Sequence, residues 1–414
     1  MDALSISGGK PLYGTVQISG AKNAVLPIMA ATVLHGGKYV LHNCPDITDV
    51  GFAAQIIRAL GGSAVRVGTV MTVDTRELTG HTVPASLMAK MRASVLFLGP
   101  LLARFGKAVL TVPGGCPLGR RPIDLHLEAM ASMGAAVTLQ EGEINCTAPC
   151  LHGCCIEFLY PSVGATENAL MAAVACKGTV TLKNAAREPE ITDLVRFLQT
   201  MGADIQGRGT DTLTISGGAP LHDSDHSIMP DRIETATFLC AAAGCGGRVT
   251  LHGADGADLL PVLRVLEDAG CCIEDTCGSI TLTCSGRLKA VADIETAPYP
   301  GFPTDAQALV MAAMLRSEGS TRFSETVFER RFGHVSQFRR HGAEIETMSA
   351  AALVSGVETL FGAQTRACDL RAAAALILAA LQAQGESTVF GLKHLHRGYD
   401  NLAGKLRSLG AGIR

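Results

Sequence analysis

Tryptophan is absent, and aromatic residues make up only 4% of the 414-residue chain. The core must therefore be aliphatic, built from Ala, Val, Leu, Ile and Met. A surplus of positive charge is also missing. The 35 Lys and Arg stand against 38 Asp and Glu, which argues against broad nucleic-acid or anionic-membrane binding but is compatible with a local basic pocket for a small anion. No apolar run reaches the roughly 18 residues of a membrane span. The opening Met1-Asp2-Ala3-Leu4-Ser5 has neither the basic nor the apolar region of a secretion signal. The expectation is a cytoplasmic protein without a membrane span. Gly114-Gly115 fits neither a Walker loop nor the dinucleotide fingerprint, so no ATP, NAD or other cofactor is expected.

What is present is a large apolar fraction. Hydrophobic residues reach 47% against 18% charged, which excludes general disorder. The length suits two or three domains of roughly 150 residues. Fourteen cysteines need a reading. Most sit among apolar neighbours and read as small core residues in a reducing compartment. Cys146, Cys150, Cys154 and Cys155 match no zinc spacing and are read as structural thiols, so no metal is expected.

Internal repetition carries the most information. A helix-like segment ending in Gly, followed by a small residue and a β-type run, occurs six times, with its glycine at 61, 134, 202, 270, 342 and 410. Successive copies are 68–73 residues apart. Glycine there fits a helix C-terminus that needs positive φ. A second series interleaves with it: Ala-rich apolar helices ending at Gly37, Gly106, Gly178, Gly247, Gly319 and Gly385, each followed by a strand. Each unit reads helix, strand, helix, strands. The segment from Asn168 to Cys176 is apolar nearly all round and should be interior, whereas the helix before Gly202 exposes Asp193, Arg196 and Gln199. Six such units suit two domains of three, with apolar helices inside and sheets outside.

Three segments carry chemistry. Ser19-Gly20-Ala21-Lys22-Asn23-Ala24 places Lys22 and Asn23 at a helix N-terminus, where anions bind. Val112 to His126 holds three Gly, three Pro and Cys116 beside Arg120 and Arg121, and cannot be regular helix or strand. Adjacent cations favour the thiolate, so Cys116 is the cysteine placed for reactivity. The third is a set of cations and carboxylates at helix starts in the second half: Asp231, Arg232, Glu234, Asp305, Arg330, Arg331, Asp369, Arg371 and Arg397. Their recurrence points to a concave site lined with positive charge.

With these segments the sequence resembles the enolpyruvyl transferases, nearly end to end. The matching stretches include Ser19 to Ala24, Met91-Arg92-Ala93-Ser94, Pro113-Gly114-Gly115-Cys116, Arg121-Pro122-Ile123-Asp124-Leu125-His126, Pro161 to Thr166, Ala185 to Glu190, Pro230 to Thr235, Phe302-Pro303-Thr304-Asp305 and Asp369-Leu370-Arg371. The resemblance implies a two-domain inside-out α/β barrel of six βαβαββ repeats. One domain would span 21–229, and the other would combine 1–20 with 230–414. The active site would lie in the cleft between them, with the two connections as hinges.

It also implies transfer of the enolpyruvyl group of phosphoenolpyruvate to the 3-hydroxyl of UDP-N-acetylglucosamine with release of phosphate, by a chain working as a monomer. Cys116 matches the loop acid, which can also form a covalent adduct, and Asp305 matches the base. Lys22, Asn23, Arg121, Arg331, Arg371 and Arg397 would hold phosphoenolpyruvate, with Lys22 and Arg397 counted among the catalytic groups. Arg92, Arg121, Pro122, Ile123, Asp124, Leu125, Ser162, Val163, Asp305 and Val327 would hold the nucleotide sugar. Asp231, Asp369 and Glu188 are second-rank contacts, and Arg232 and Glu234 structural ion-pair partners near the hinge. The related shikimate-pathway synthase shares the architecture but lacks the cysteine loop. Departures are Arg330 where Asn is usual, Arg120 doubling the charge beside Arg121, Tyr160-Pro161 where some relatives have Lys-Val, and a short final strand.

Overall fold

A computed structural model describes residues 3–114 and 123–414. Among these, one compact unit takes 20–114 and 123–229, and the other 3–19 and 230–414. Each unit has its own aliphatic core.

The repeat is plain in the third copy. Strand Cys155–Glu157 leads to helix Val163–Ala173, strand Gly178–Lys183, helix Pro189–Thr200, then strands Asp204–Gln206 and Thr212–Gly217, which is the βαβαββ unit. Each copy contributes one interior and one amphipathic helix. The interior helices are buried almost all round: Ala165 to Ala173 are all buried, and so are Arg371 to Gln382 of helix Leu370–Gln382. They pack in threes. Arg232–Cys245, Thr304–Met314 and Leu370–Gln382 contact one another in one unit. In the other, Lys22–Ala31 and Val163–Ala173 both pack on the 3-10 turn Arg92–Phe97 that opens helix Leu98–Phe105.

The first glycine series behaves as its position requires. Gly61, Gly134, Gly202, Gly270, Gly342 and Gly410 all have φ between 87° and 104°. Five of the second series also turn with positive φ, but Gly37 does not. An added Cβ at Gly37 would lie 2.3 Å from an oxygen of the exposed Asp223 side chain. Helix Lys22–Ala31 begins at Lys22 and carries Pro27 inside.

Five of the sheets have four strands, each with a parallel edge strand beside antiparallel neighbours. The sixth has three, and the parallel bridge Thr82↔Val109 occupies the edge position. Distant segments complete three sheets. Asp225–Ser227 runs parallel to Lys38–His42, Leu12–Gln17 parallel to Gly247–His252, and Ala3–Ser7 antiparallel to Glu386–Phe390. The final strand, Gly412–Ile413, is two residues long. Among the described residues no helix is long and apolar enough to cross a membrane.

Candidate active site

In the unit holding 230–414, three interior helices start with charge. Asp305 lies in the first turn of Thr304–Met314, whose N-cap Pro303 supplies no side-chain cap. Its Oδ1 accepts from Arg331 Nη2 at 2.8 Å and its Oδ2 from Arg371 Nη2 at 3.1 Å. The guanidiniums are 3% and 5% exposed, and the carboxylate is 30% exposed, so water reaches the acid while its cations are fixed from behind. Burial pushes the Asp305 carboxyl up, but Arg371 and Arg331, with Arg232 adding to them, outweigh it and hold the group well below the usual carboxylate range.

Each cation is itself placed. Arg331 donates to the Thr304 carbonyl and lies over the Phe328 ring, and Arg371 lies over Tyr399, whose hydroxyl bonds Thr237. Asp369 Oδ1 caps the third helix by accepting from the backbone of Arg371 and Ala372, and Asp231 does the same for Ile233 and Glu234. Both second-rank aspartates thus act as caps. Arg397 is half-buried in the turn Leu395–Arg397. Val327 is 40% exposed, with its N–H on Glu325. Arg330 is exposed and shares a cavity of about 340 Å³ with Asp369 and Cys368, whereas its neighbour Arg331 is the one that grips Asp305.

The other unit repeats the arrangement. Lys22 opens helix Lys22–Ala31 with no side-chain cap, and its Nζ meets Asp49 Oδ2 at 2.9 Å; Asn23 follows, half-buried. Arg92 opens the 3-10 turn of the second repeat. Ser162 caps Val163–Ala173 through Ala165 N–H, with Val163 next in line. Ile123 precedes helix Asp124–Ser132; Asp124 is exposed and Leu125 buried. Asp124 and Arg92 both act electrostatically on the exposed Tyr160, which ties these helix starts together. His126 is buried. Its Nδ1 takes Asn168 Nδ2 at 2.8 Å, and Asn168 also bonds Gly99 and Val95. Burial, then the Arg92 charge, push His126 down to about 4, so it is neutral at pH 7. Glu188 stands near Glu167 and Glu190. Burial, then the charges of Glu190 and Glu188, raise Glu167 well above the usual range.

Comparison with known proteins adds to this geometry. Residues 6–406 match the family described as EPSP synthase (3-phosphoshikimate 1-carboxyvinyltransferase). The crystal structure of the enolpyruvyl transferase NikO from Streptomyces tendae is similar at a TM-score of 0.91 and 30% identity, over 100% of this chain and 98% of that one. The chain belongs to the enolpyruvyl transferase family. A relative in that family, the UDP-N-acetylglucosamine 1-carboxyvinyltransferase of Novosphingobium aromaticivorans, is 47% identical over 100% of this chain and 99% of its own length. EPSP synthase from Acinetobacter baumannii shares the fold at a TM-score of 0.77 and 18% identity over 100% of this chain and 99% of its own.

As an enolpyruvyl transferase, the chain brings Asp305, Arg331 and Arg371 into direct contact, and sets Lys22, Asn23, Arg92, Ser162 and Val163 at the starts of interior helices. Cys116, Arg120, Arg121 and Pro122 lie outside the described residues. Sequence reasoning missed Asp49, which reads as an ordinary first-turn acid of Thr48–Ala59. It also missed Lys405, which holds Glu234 at 2.7 Å, while Arg232 adds its charge to the field at Asp305. Lys405 follows Gly404 in an amphipathic helix, where a lysine is unremarkable.

Proposed function

We propose that this chain transfers the enolpyruvyl group of phosphoenolpyruvate to the 3-hydroxyl of UDP-N-acetylglucosamine, releasing phosphate, as the first committed step of peptidoglycan synthesis. The observation that carries the reading is a carboxylate, Asp305, held between two buried guanidiniums at the uncapped start of an interior helix. That arrangement suits a doubly anionic substrate next to a base.

Arg331, Arg371 and Arg397, with Lys22, Asn23 and Arg121, take the phosphate and carboxylate of phosphoenolpyruvate, and planar forks match both groups. Arg92, Arg121, Pro122, Ile123, Asp124, Leu125, Ser162, Val163 and Val327 hold the nucleotide sugar. In its present pairing Asp305 is a poor base, because both cations favour the ionised form. Phosphoenolpyruvate brings its anionic groups to those guanidiniums, and Asp305 becomes more basic as the positive field around it is offset. It then takes the sugar hydroxyl proton as the oxygen bonds C2, while the Cys116 thiol protonates C3. The tetrahedral phospho-ketal next gives a C3 proton back to the Cys116 thiolate, the C2–O bond to phosphate breaks, and phosphate leaves with the proton held by Asp305. In the overall balance the hydroxyl proton departs with the phosphate. Water must be excluded, since the ketal would otherwise hydrolyse. In this reading the chain works as a monomer in the cytoplasm.

Phosphate release from phosphoenolpyruvate tests this. It should require UDP-N-acetylglucosamine and not proceed with shikimate 3-phosphate. Cys116→Ser should lower turnover by about 100-fold or more, the scale of a lost general acid, and still bind the nucleotide sugar. No release with either acceptor would leave a binding role only, and release with shikimate 3-phosphate would change the acceptor.

A further inference from the structure

Ser19 precedes Lys22 by three residues and is tied down by all of its polar groups. Its N–H donates to Glu234 Oε2 at 2.7 Å, and its hydroxyl accepts from Lys405 Nζ at 2.6 Å. Its carbonyl accepts from Asp231 N–H at 2.8 Å. Lys405 Nζ also donates to Glu234 Oε1 at 2.7 Å, which closes a ring of three charge-assisted bonds around one serine. Glu234 is 2% exposed. A buried ion pair of this kind adds little net stability, because desolvation offsets most of its attraction, and its best-attested use is to fix register.

The next residues leave no slack to absorb a shift. A Cβ on Gly20 would lie 1.8 Å from the Asn43 carbonyl oxygen, so only glycine fits against that backbone. Ala21 N–H donates to the Met229 carbonyl at 2.7 Å, and Lys22 begins its helix with its ammonium on Asp49. The three chain steps from Ser19 to Lys22 span at most about 11 Å. A displacement of Ser19 therefore reaches Lys22 and Asn23 directly.

We infer that Glu234 and Lys405 are positioning residues, a buried ionic clamp on Ser19 that sets the placement of Lys22 and Asn23. The clamp is built to respond to protonation. Burial raises the Glu234 carboxyl, Lys405 and the Ser19 amide draw it back, and Asp231 raises it further, leaving it at about 7. Lys405 faces it from helix Leu402–Ser408, and Asp231 from the cap of its own helix. Below that pH Glu234 takes a proton and ceases to be a paired anion, and the clamp loosens.

Hydrogen exchange read by mass spectrometry tests the clamp without reference to any reaction. Loss of a charge-assisted bond should lower protection of the peptide spanning 18–24 by about 10-fold or more in Glu234→Gln. Helix Val163–Ala173 should keep its protection, and Lys405→Arg should stay close to the unmodified protein. In the unmodified protein, protection at 18–24, corrected for intrinsic exchange, should fall as pH drops through about 7; in Glu234→Gln it should be flat. Ser19→Ala, which deletes only a hydroxyl, should show a smaller loss in the same peptide and serves if Glu234→Gln fails to fold. Unchanged protection at 18–24 in both variants overturns the clamp. The kinetic consequence rests on the proposed transferase reading. Glu234→Gln should raise KM for phosphoenolpyruvate more than it lowers kcat, and absence of turnover in the unmodified protein would count against that reading while leaving the exchange result intact.

Discussion

Asp305 shows how one residue answers to its neighbours. It is an anion held by two cations, and removing one should raise its pKa, since burial then weighs more heavily. Arg371→Met should move the Asp305 titration up, as read by carboxyl carbon NMR, and raise KM for phosphoenolpyruvate by about 10–100-fold, the scale of a lost hydrogen bond to a charged group. An unmoved titration would mean that Arg371 is not what holds the acid. At this scale the sequence was informative for residue types and poor for pairings. Asp305 and Arg371 were legible as charges at helix starts, whereas Arg331 lies in a turn before helix Val335–Phe338 and was named through the family resemblance. Asp49 was not, because an acid in a first turn is what any helix favours. The Glu234–Lys405 pair spans 171 residues, and no local pattern records such a separation.

Among the elements, the repeated glycine turns and the interior helices carry the fold. Gly270 has φ of 101°, and a Cβ added there would meet nothing within 4 Å. Gly270→Ala should therefore destabilise through backbone conformation alone, by about 1–3 kcal/mol in chemical denaturation; no change would mean that the turn relaxes at no cost. Two buried histidines set a pH response. Burial pushes both His126 and His334 down to about 4. Their folded values lie below the unfolded one, so the stability they allow is full above about 6.5 and declines as pH falls towards 4, by up to about 1.4 kcal/mol per pH unit each. Denaturation midpoints at pH 7 and pH 5 should differ, and the difference should shrink in His126→Gln; an equal difference in that variant would show that the histidine does not contribute. The helices were legible from their apolar runs and terminal glycines. Three-residue edge strands such as Asp225–Ser227 were not, because they are too short to show a period.

For the whole molecule, six-fold repetition was the strongest signal in the sequence, and the βαβαββ units agree with it. The sheets completed by 3–7 and 12–17 depend on pairings made across most of the chain, which repetition alone does not disclose. The proposed reaction is what must be tested. The most direct measurement is NMR of the product formed from carbon-labelled phosphoenolpyruvate and UDP-N-acetylglucosamine. The account predicts that the label appears as an enol ether on the sugar 3-oxygen, in step with released phosphate. Label recovered as free pyruvate, or on another acceptor atom, would contradict it.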